Sequence, residues 1–86
     1  MKRSTIQMKM DILSVCYGKH VILSHIVQKA NVNGQSLTKL ISELIAKDLL
    51  IKEARVIERI ERITYRSTGK GIHALNTWKM FKDIVG

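Results

Sequence analysis

Leu23-Ser24-His25-Ile26-Val27-Gln28-Lys29-Ala30-Asn31-Val32-Asn33-Gly34-Gln35-Ser36-Leu37-Thr38-Lys39-Leu40-Ile41-Ser42-Glu43-Leu44-Ile45-Ala46-Lys47 reads as two apolar-faced helices separated by a turn. In its second half Leu37, Leu40, Ile41, Leu44 and Ile45 recur at spacings of three and four, which places them on one side of a helix predicted over about residues 35–47. In its first half Ile26, Val27 and Ala30 form the inner side of a helix of about two turns. Ser24 is the predicted N-cap of that helix, because a serine oxygen accepts from first-turn amides that have no carbonyl partner. Asn31-Val32-Asn33-Gly34 is the turn: asparagine and glycine tolerate positive φ, and Val32 supplies an apolar anchor.

Toward the N-terminus, Ile6, Met10, Leu13 and Tyr17 are spaced four, three and four apart, with Ile12 and Cys16 beside them. This predicts a helix from Ser4 to Tyr17, ended by Gly18, and then a connector over residues 19–22 with room for one brief strand. Downstream, Val56, Ile57, Ile60, Ile63, Thr64 and Tyr65 are strand formers. Yet Ile57-Glu58-Arg59-Ile60-Glu61-Arg62-Ile63 repeats every three residues, which is the period of neither strand nor helix. A helix here would align Val56, Ile60 and Ile63 and pair Glu58 with Arg62. The preferred reading is a hairpin from Leu50 to about Arg55 and from Arg59 or Ile60 to Ser67, a wing at about residues 54–60 with Arg55 and Arg59 near its tip. Thr68 then caps a last helix carrying Ile72, Ala74, Leu75, Trp78, Met80, Phe81, Ile84 and Val85. Helix, helix pair, hairpin and helix in that order make a mainly α fold with a small β-hairpin wing, a winged helix-turn-helix. It is read as a single domain over residues 1–86, with residues 68–86 as its C-terminal helix.

The charge balance names a class of partner. Lys and Arg number 15 against 7 acidic residues, a formal charge of +8, which suits a polyanion. No uninterrupted apolar run approaches the roughly 20 residues of a membrane span. The start, Met1-Lys2-Arg3-Ser4-Thr5, leads into charged positions rather than a signal-like apolar segment, so a soluble, cytoplasmic and nucleoid-associated protein is expected. A chain of 86 residues supports one modest core and leaves little room for a catalytic cleft. No Ser-His-Asp order, glycine-rich phosphate loop or paired-carboxylate arrangement is present, so no enzyme activity and no cofactor are expected. Cys16, His20 and His25 lie close in sequence, but with one cysteine they fall short of a structural zinc set. No metal is expected, and Cys16 reads as a small buried side chain.

At 100° per residue the polar side of the helix over 35–47 presents Gln35, Lys39 and Ser42, flanked by Ser36, Thr38, Glu43 and Lys47. Glutamine pairs with adenine, lysine reaches guanine or phosphate, and hydroxyls serve base edges or backbone, so Gln35, Ser36, Thr38, Lys39 and Ser42 are the candidate reading residues. Glu43 would either repel phosphate or accept from cytosine. The plainer alternative is that any surface helix is polar outside. Lys19, Lys29 and Lys47 are candidate phosphate contacts, and Arg55 and Arg59 the wing contacts. The competing reading pairs Arg55, Arg59, Arg62 and Arg66 with Glu53, Glu58 and Glu61 on a solvated ribbon; for Arg62 that reading is preferred. In the last helix Ile72 and Leu75 close the core, while Ala74, Trp78, Phe81 and Val85 form a seam suited to a second helix, hence a homodimer. Alternatively, Trp78 and Phe81 fold back on the first helix.

Ala30-Asn31-Val32-Asn33, the run from Leu40 to Ile51 and Tyr65-Arg66-Ser67-Thr68-Gly69-Lys70-Gly71 together resemble the small archaeal winged-helix DNA-binding proteins and transcription regulators, over most of the chain. Tyr65, Thr68 and Gly71 match the family's Tyr-x-Leu-Thr-x-x-Gly, with Ser67 where leucine is usual, and Asp48 replaces the usual glycine after the recognition helix. The resemblance implies a dimer joined through the C-terminal helix that binds duplex DNA as a regulator or a chromatin component. The expected function is sequence-specific double-stranded DNA binding as a homodimeric transcription regulator, with no small-molecule ligand. The alternatives are a sequence-neutral architectural binder and a winged helix used for protein interaction.

Overall fold

The computed structural model describes residues 4–86; the basic start Met1-Lys2-Arg3, part of the segment read as lacking an export signal, lies outside them. The order is α1 (Thr5–Val15), β1 (Val21–Ile22), α2 (Leu23–Ala30), α3 (Gly34–Ala46), β2 (Leu50–Ile57), β3 (Ile60–Ser67) and α4 (Gly69–Val85). The strands form one antiparallel sheet in the order β1-β3-β2. Among the described residues no helix is long and apolar enough to cross a membrane.

Ser4 caps α1, its Oγ accepting from the Gln7 amide at 3.1 Å. The inner face of α1 is centred on Ile12, Leu13 and Cys16, all fully buried, because α2, α3 and α4 pack around it. Ile6 and Tyr17, expected on that face, flank it instead at 48% and 51% exposure. Gly18 follows the helix at φ +67°, the left-handed region glycine enters without a Cβ penalty. Ser24 is not the cap of α2. Ile22 is, without a side-chain hydrogen bond, because pairing of Val21 with Tyr65 and Ile22 with Thr64 holds it extended and the helix starts at once. In the turn, Asn31 takes φ 54° while Val32 is buried. Gly34 is already helical, so its conformational freedom is not used there; Asn33 caps α3, its Oδ1 accepting from the Ser36 amide at 2.9 Å.

Leu37, Leu40, Ile41 and Leu44 of α3 are buried, whereas Ile45, read as part of the same stripe, lies at its exposed edge. The helix ends in a tight cap. Asp48 at φ 60° donates its amide to Ile45 O (3.0 Å), and Leu49 donates to Leu44 O (2.9 Å). Glycine usually fills that left-handed position, and aspartate is among the few side chains that tolerate it.

The hairpin is longer than expected. Both strands have eight residues, and the turn is the two residues Glu58 and Arg59, at φ 53° and 70°. Two positive φ values in a two-residue loop define the turn that matches strand twist, normally built from asparagine and glycine. Here the β-branched residues on both sides dictate pairing up to Ile57 opposite Ile60, and the turn takes up the strain. The three-residue repeat is thereby explained: Ile57 and Ile60 are cross-strand neighbours across the turn, and Ile63 opposes Ala54 on the other face.

The sheet is tied to the helices at the start of α4. Ser67 donates its amide to Cys16 O (3.1 Å) and its hydroxyl to Leu13 O (2.8 Å), so a buried serine at the leucine position satisfies the end of α1. Thr68 caps α4 by accepting from the Gly71 amide (3.0 Å), while its hydroxyl donates to Asp48 O (2.6 Å) and its own amide to Leu49 O (3.1 Å). Gly71 lies directly against the Leu49 backbone: an added Cβ would stand 2.0 Å from the Leu49 carbonyl oxygen.

Candidate nucleic-acid interface

Because Leu37, Leu40, Ile41 and Leu44 anchor α3, the opposite side must face solvent, and Gln35, Thr38, Lys39, Ser42 and Lys47 are all exposed. The structure separates them into a crest and two flanks. Gln35, Lys39 and Ser42 form the crest, joined by Ala46, which the helical wheel also places there and which the choice of polar residues passed over. Thr38 lies on one flank and its hydroxyl donates back to Gly34 O at 3.0 Å, so that proton is already used. Ser36 and Lys47 lie on the other flank, toward α1. Ser36 shares a depression with Thr5, Met8, Lys39 and Glu43, and Lys47 shares another with Thr5, Ile6, Lys9 and Leu49.

Glu43 is the acid on this surface, and its partner comes from α1. Lys9 Nζ lies 2.9 Å from its carboxylate, and this hydrogen bond, with the positive fields of Lys9, Lys39 and Lys47, holds the Glu43 carboxyl below its ordinary 4.5. The pair neutralises the carboxylate at neutral pH, so its repulsion of a polyanion is muted. Nothing in the spacing of Lys9 signalled this, because the contact depends on how α1 crosses α3.

On the wing Arg59 occupies the turn, but Arg55 is not at the tip. It sits within β2 opposite Arg62, with Val56 and Ile57 beyond it, because pairing continues to Ile57. The ribbon of acid–base pairs is also absent. Of the four wing arginines, only Arg66 approaches an acid among the described residues, Glu53 at 4.0 Å; Arg55, Arg59 and Arg62 have no carboxylate within that distance. Arg62 is not neutralised by its neighbours in sequence as expected; strand pairing places Glu61 on the other face and Arg62 beside Arg55. Lys19 does not join the α3 crest. It lines an open depression of about 420 Å³ with His20, His25, Ile57, Glu58 and Arg62, between the β1–α2 junction and the wing. Arg62 and the two histidines are thus candidate contacts that sequence periodicity did not bring out. Lys29 is exposed on the last turn of α2. Cys16 is separated from these histidines by its burial in the core, which pushes its thiol up to about 12.

The C-terminal helix leaves the body as it proceeds. Leu75 is buried and Ile72 half-buried, and Trp78 packs its inner edge against the core. Beyond it Met80, Phe81, Ile84 and Val85 are 55–82% exposed. Ala74, Trp78 and Phe81 face Ile6 and Met10 of α1 across an open apolar groove of about 540 Å³. The Trp78 and Phe81 rings stack with centroids 6.0 Å apart, and the buried Trp78 Nε1 has no acceptor among the described residues.

A family pattern described as winged helix-turn-helix matches residues 2–85. Two solved structures are similar over nearly the whole chain. One is a PadR-like transcription factor from Bacteroides fragilis, with a TM-score of 0.74 and 25% identity, covering 94% of this chain and 88% of that one. The other is a protein from Streptococcus mutans UA159, with a TM-score of 0.78 and 17% identity over 92% of this chain and 82% of that one, a likeness of fold. No relative was found among curated protein sequences. With four helices and a β1-β3-β2 sheet among the described residues, and a family match over residues 2–85, the chain belongs to the winged helix-turn-helix family.

Proposed function

We propose that this protein is a homodimeric transcription regulator that binds double-stranded DNA at specific sites, with α3 in the major groove and the wing on the backbone or minor groove. Family membership and the likeness to a PadR-like transcription factor support DNA-binding regulation. The observation that carries the finer reading is the α3 crest: Gln35, Lys39 and Ser42 stand free on the side opposite the core, and the nearest acid is held by Lys9. In a helix-turn-helix the second helix of the pair presents that side to base edges. Arg55 and Arg59 supply the wing contact, Lys19, Lys29 and Lys47 the phosphate contacts, and Ser36 and Thr38 positioning contacts at the flanks.

Fluorescence anisotropy on the protein's own upstream region, beside random duplex of equal length and across a salt series, tests this. A selective complex that survives near-physiological salt is the expected result. Equal affinities falling steeply with salt would instead make it an architectural binder, because counterion release then supplies the binding energy. Binding to neither duplex would point to a protein partner.

Dimerisation through α4 is part of the same proposal. Ala74, Trp78, Phe81 and Val85 form the seam, and the exposed Met80 and Ile84 extend it. Phe81→Glu places a charge in that surface without entering the core, and light scattering should then read a mass below that of the wild type. A variant that kept the wild-type mass would rule this interface out. A symmetric dimer of this kind demands two inverted half-sites, about one helical turn or a multiple apart.

A further inference from the structure

β2 is an edge strand, paired with β3 on one side and with nothing on the other among the described residues. The two-residue turn makes Ile57 and Ile60 a hydrogen-bonded pair, so the odd positions of β2 spend their backbone groups on β3. The even positions, Lys52, Ala54 and Val56, therefore turn their N–H and C=O groups outward. An exposed edge of this length is a template for another strand, and natural proteins blunt it with proline, a bulge, very short length or charged side chains. Of these only charge is present: β2 pairs with β3 without interruption over all eight residues and contains no proline, while its charges, Lys52, Glu53 and Arg55, are of both signs and can be matched by a partner strand.

We infer that this edge pairs antiparallel with the same edge of a second copy, about a two-fold axis through Ala54. The side-chain order selects that register. With Ala54 opposite Ala54, Glu53 faces Arg55 of the other copy, and the reverse pair forms by symmetry. Ile51 faces Ile57, and Lys52 lies opposite Val56. Glu53–Arg55 and Ile51–Ile57 fall at the non-hydrogen-bonded positions, where cross-strand side chains approach most closely. Shifting the axis by one residue either way opposes Glu53 to Glu53 or Arg55 to Arg55. The small Ala54 at the axis lets the strands meet, and Ile51 and Ile57, at 38% and 37% exposure, gain cover. Arg55, which has no acid in its own chain among the described residues, finds one in the second copy, and while it is so paired the wing contact to DNA falls to Arg59. Two different two-fold contacts on one chain close, as in a D2 tetramer, only when their axes intersect at a suitable angle; otherwise wing pairing joined to the α4 contact extends dimers into a row. That extension rests on the α4 reading, whereas the wing contact itself does not.

Disulfide trapping in the full chain tests the register residue by residue, because Cys16 is buried and its thiol is pushed up to about 12, leaving the introduced cysteine as the reactive one. Ala54→Cys should cross-link to itself under mild oxidation, since about 5.5 Å between opposed Cα atoms lies within disulfide range. Its rate should exceed that of Gln28→Cys, on the exposed face of α2, by about tenfold. Lys52→Cys alone should not cross-link, its two copies standing about 14 Å apart, but should do so when mixed with Val56→Cys. Arg55→Glu added to Ala54→Cys should slow the reaction about tenfold by opposing two pairs of acids, and Glu53→Arg added to that should restore it. Circular dichroism on each variant verifies that the fold is kept. An Ala54→Cys rate equal to that of Gln28→Cys, or Lys52→Cys reacting with itself as fast as with Val56→Cys, overturns the proposal whether or not α4 also dimerises.

Discussion

Gly71→Ala is expected to cost about 3 kcal/mol or more, and to lower the melting temperature by more than about 10 °C in a domain of this size. The added methyl would meet the Leu49 carbonyl oxygen at 2.0 Å and its carbonyl carbon at 3.0 Å. Neither is the free end of a side chain that can swing away. That oxygen already accepts from the Thr68 amide, and Thr68 is joined to Asp48 as well, so the α3–β2 turn and the start of α4 are locked at the contact. Relief would require α4 to lift from the body, exposing Leu75 and the inner edge of Trp78. Gly69→Ala is the control: its Cβ meets nothing within 4 Å, and the same helix should lose no stability. Thermal unfolding by circular dichroism on both variants is the measurement, and a Gly71→Ala melting point within 2 °C or so of the wild type would show the contact to be yielding.

Lys39→Glu is expected to weaken DNA binding by about 30-fold or more, because it removes a cation from the centre of the α3 crest and places an anion against the duplex. The salt dependence of log K should become shallower by roughly one unit if Lys39 meets a phosphate. Stability should barely change, since Lys39 is exposed on the side away from the core. Gln35→Ala separates reading from attraction. If Gln35 hydrogen-bonds a base edge, binding to the selected site falls by about tenfold while random duplex is little affected. Wild-type affinity for Lys39→Glu would remove α3 from the interface and leave the wing arginines, together with Lys19 and Arg62 at the neighbouring depression, as the polyanion-binding surface.

Features set by neighbours in sequence were the most legible. The three- and four-residue spacing on α3 places five apolar residues on one face, of which four are buried, and Thr68 is legible as the cap of α4 because capping spans only one turn. The hairpin was legible as strands but not in its turn. Glu58-Arg59 carries no turn residue, and positive φ at both positions follows from pairing on either side rather than from local preference. The site was legible as a polar crest, but its flanks were not. That Glu43 is held by Lys9, and that Arg55 lies beside Arg62 within the wing, both depend on segments distant in the chain.

Local spacing suffices for the helices, their inner faces and the family motif, because periodicity and capping are one-turn properties that each helix carries alone. Where those faces end depends on packing between elements. Ile6, Tyr17 and Ile45 follow the helical spacing yet lie exposed, since the width of a buried stripe is set by the elements that pack on it. Tertiary contacts also decide that Ser24 is not a cap, because β1 pairing starts α2 earlier, and that Gly71 must be glycine, because a carbonyl 22 residues upstream occupies the space of its side chain.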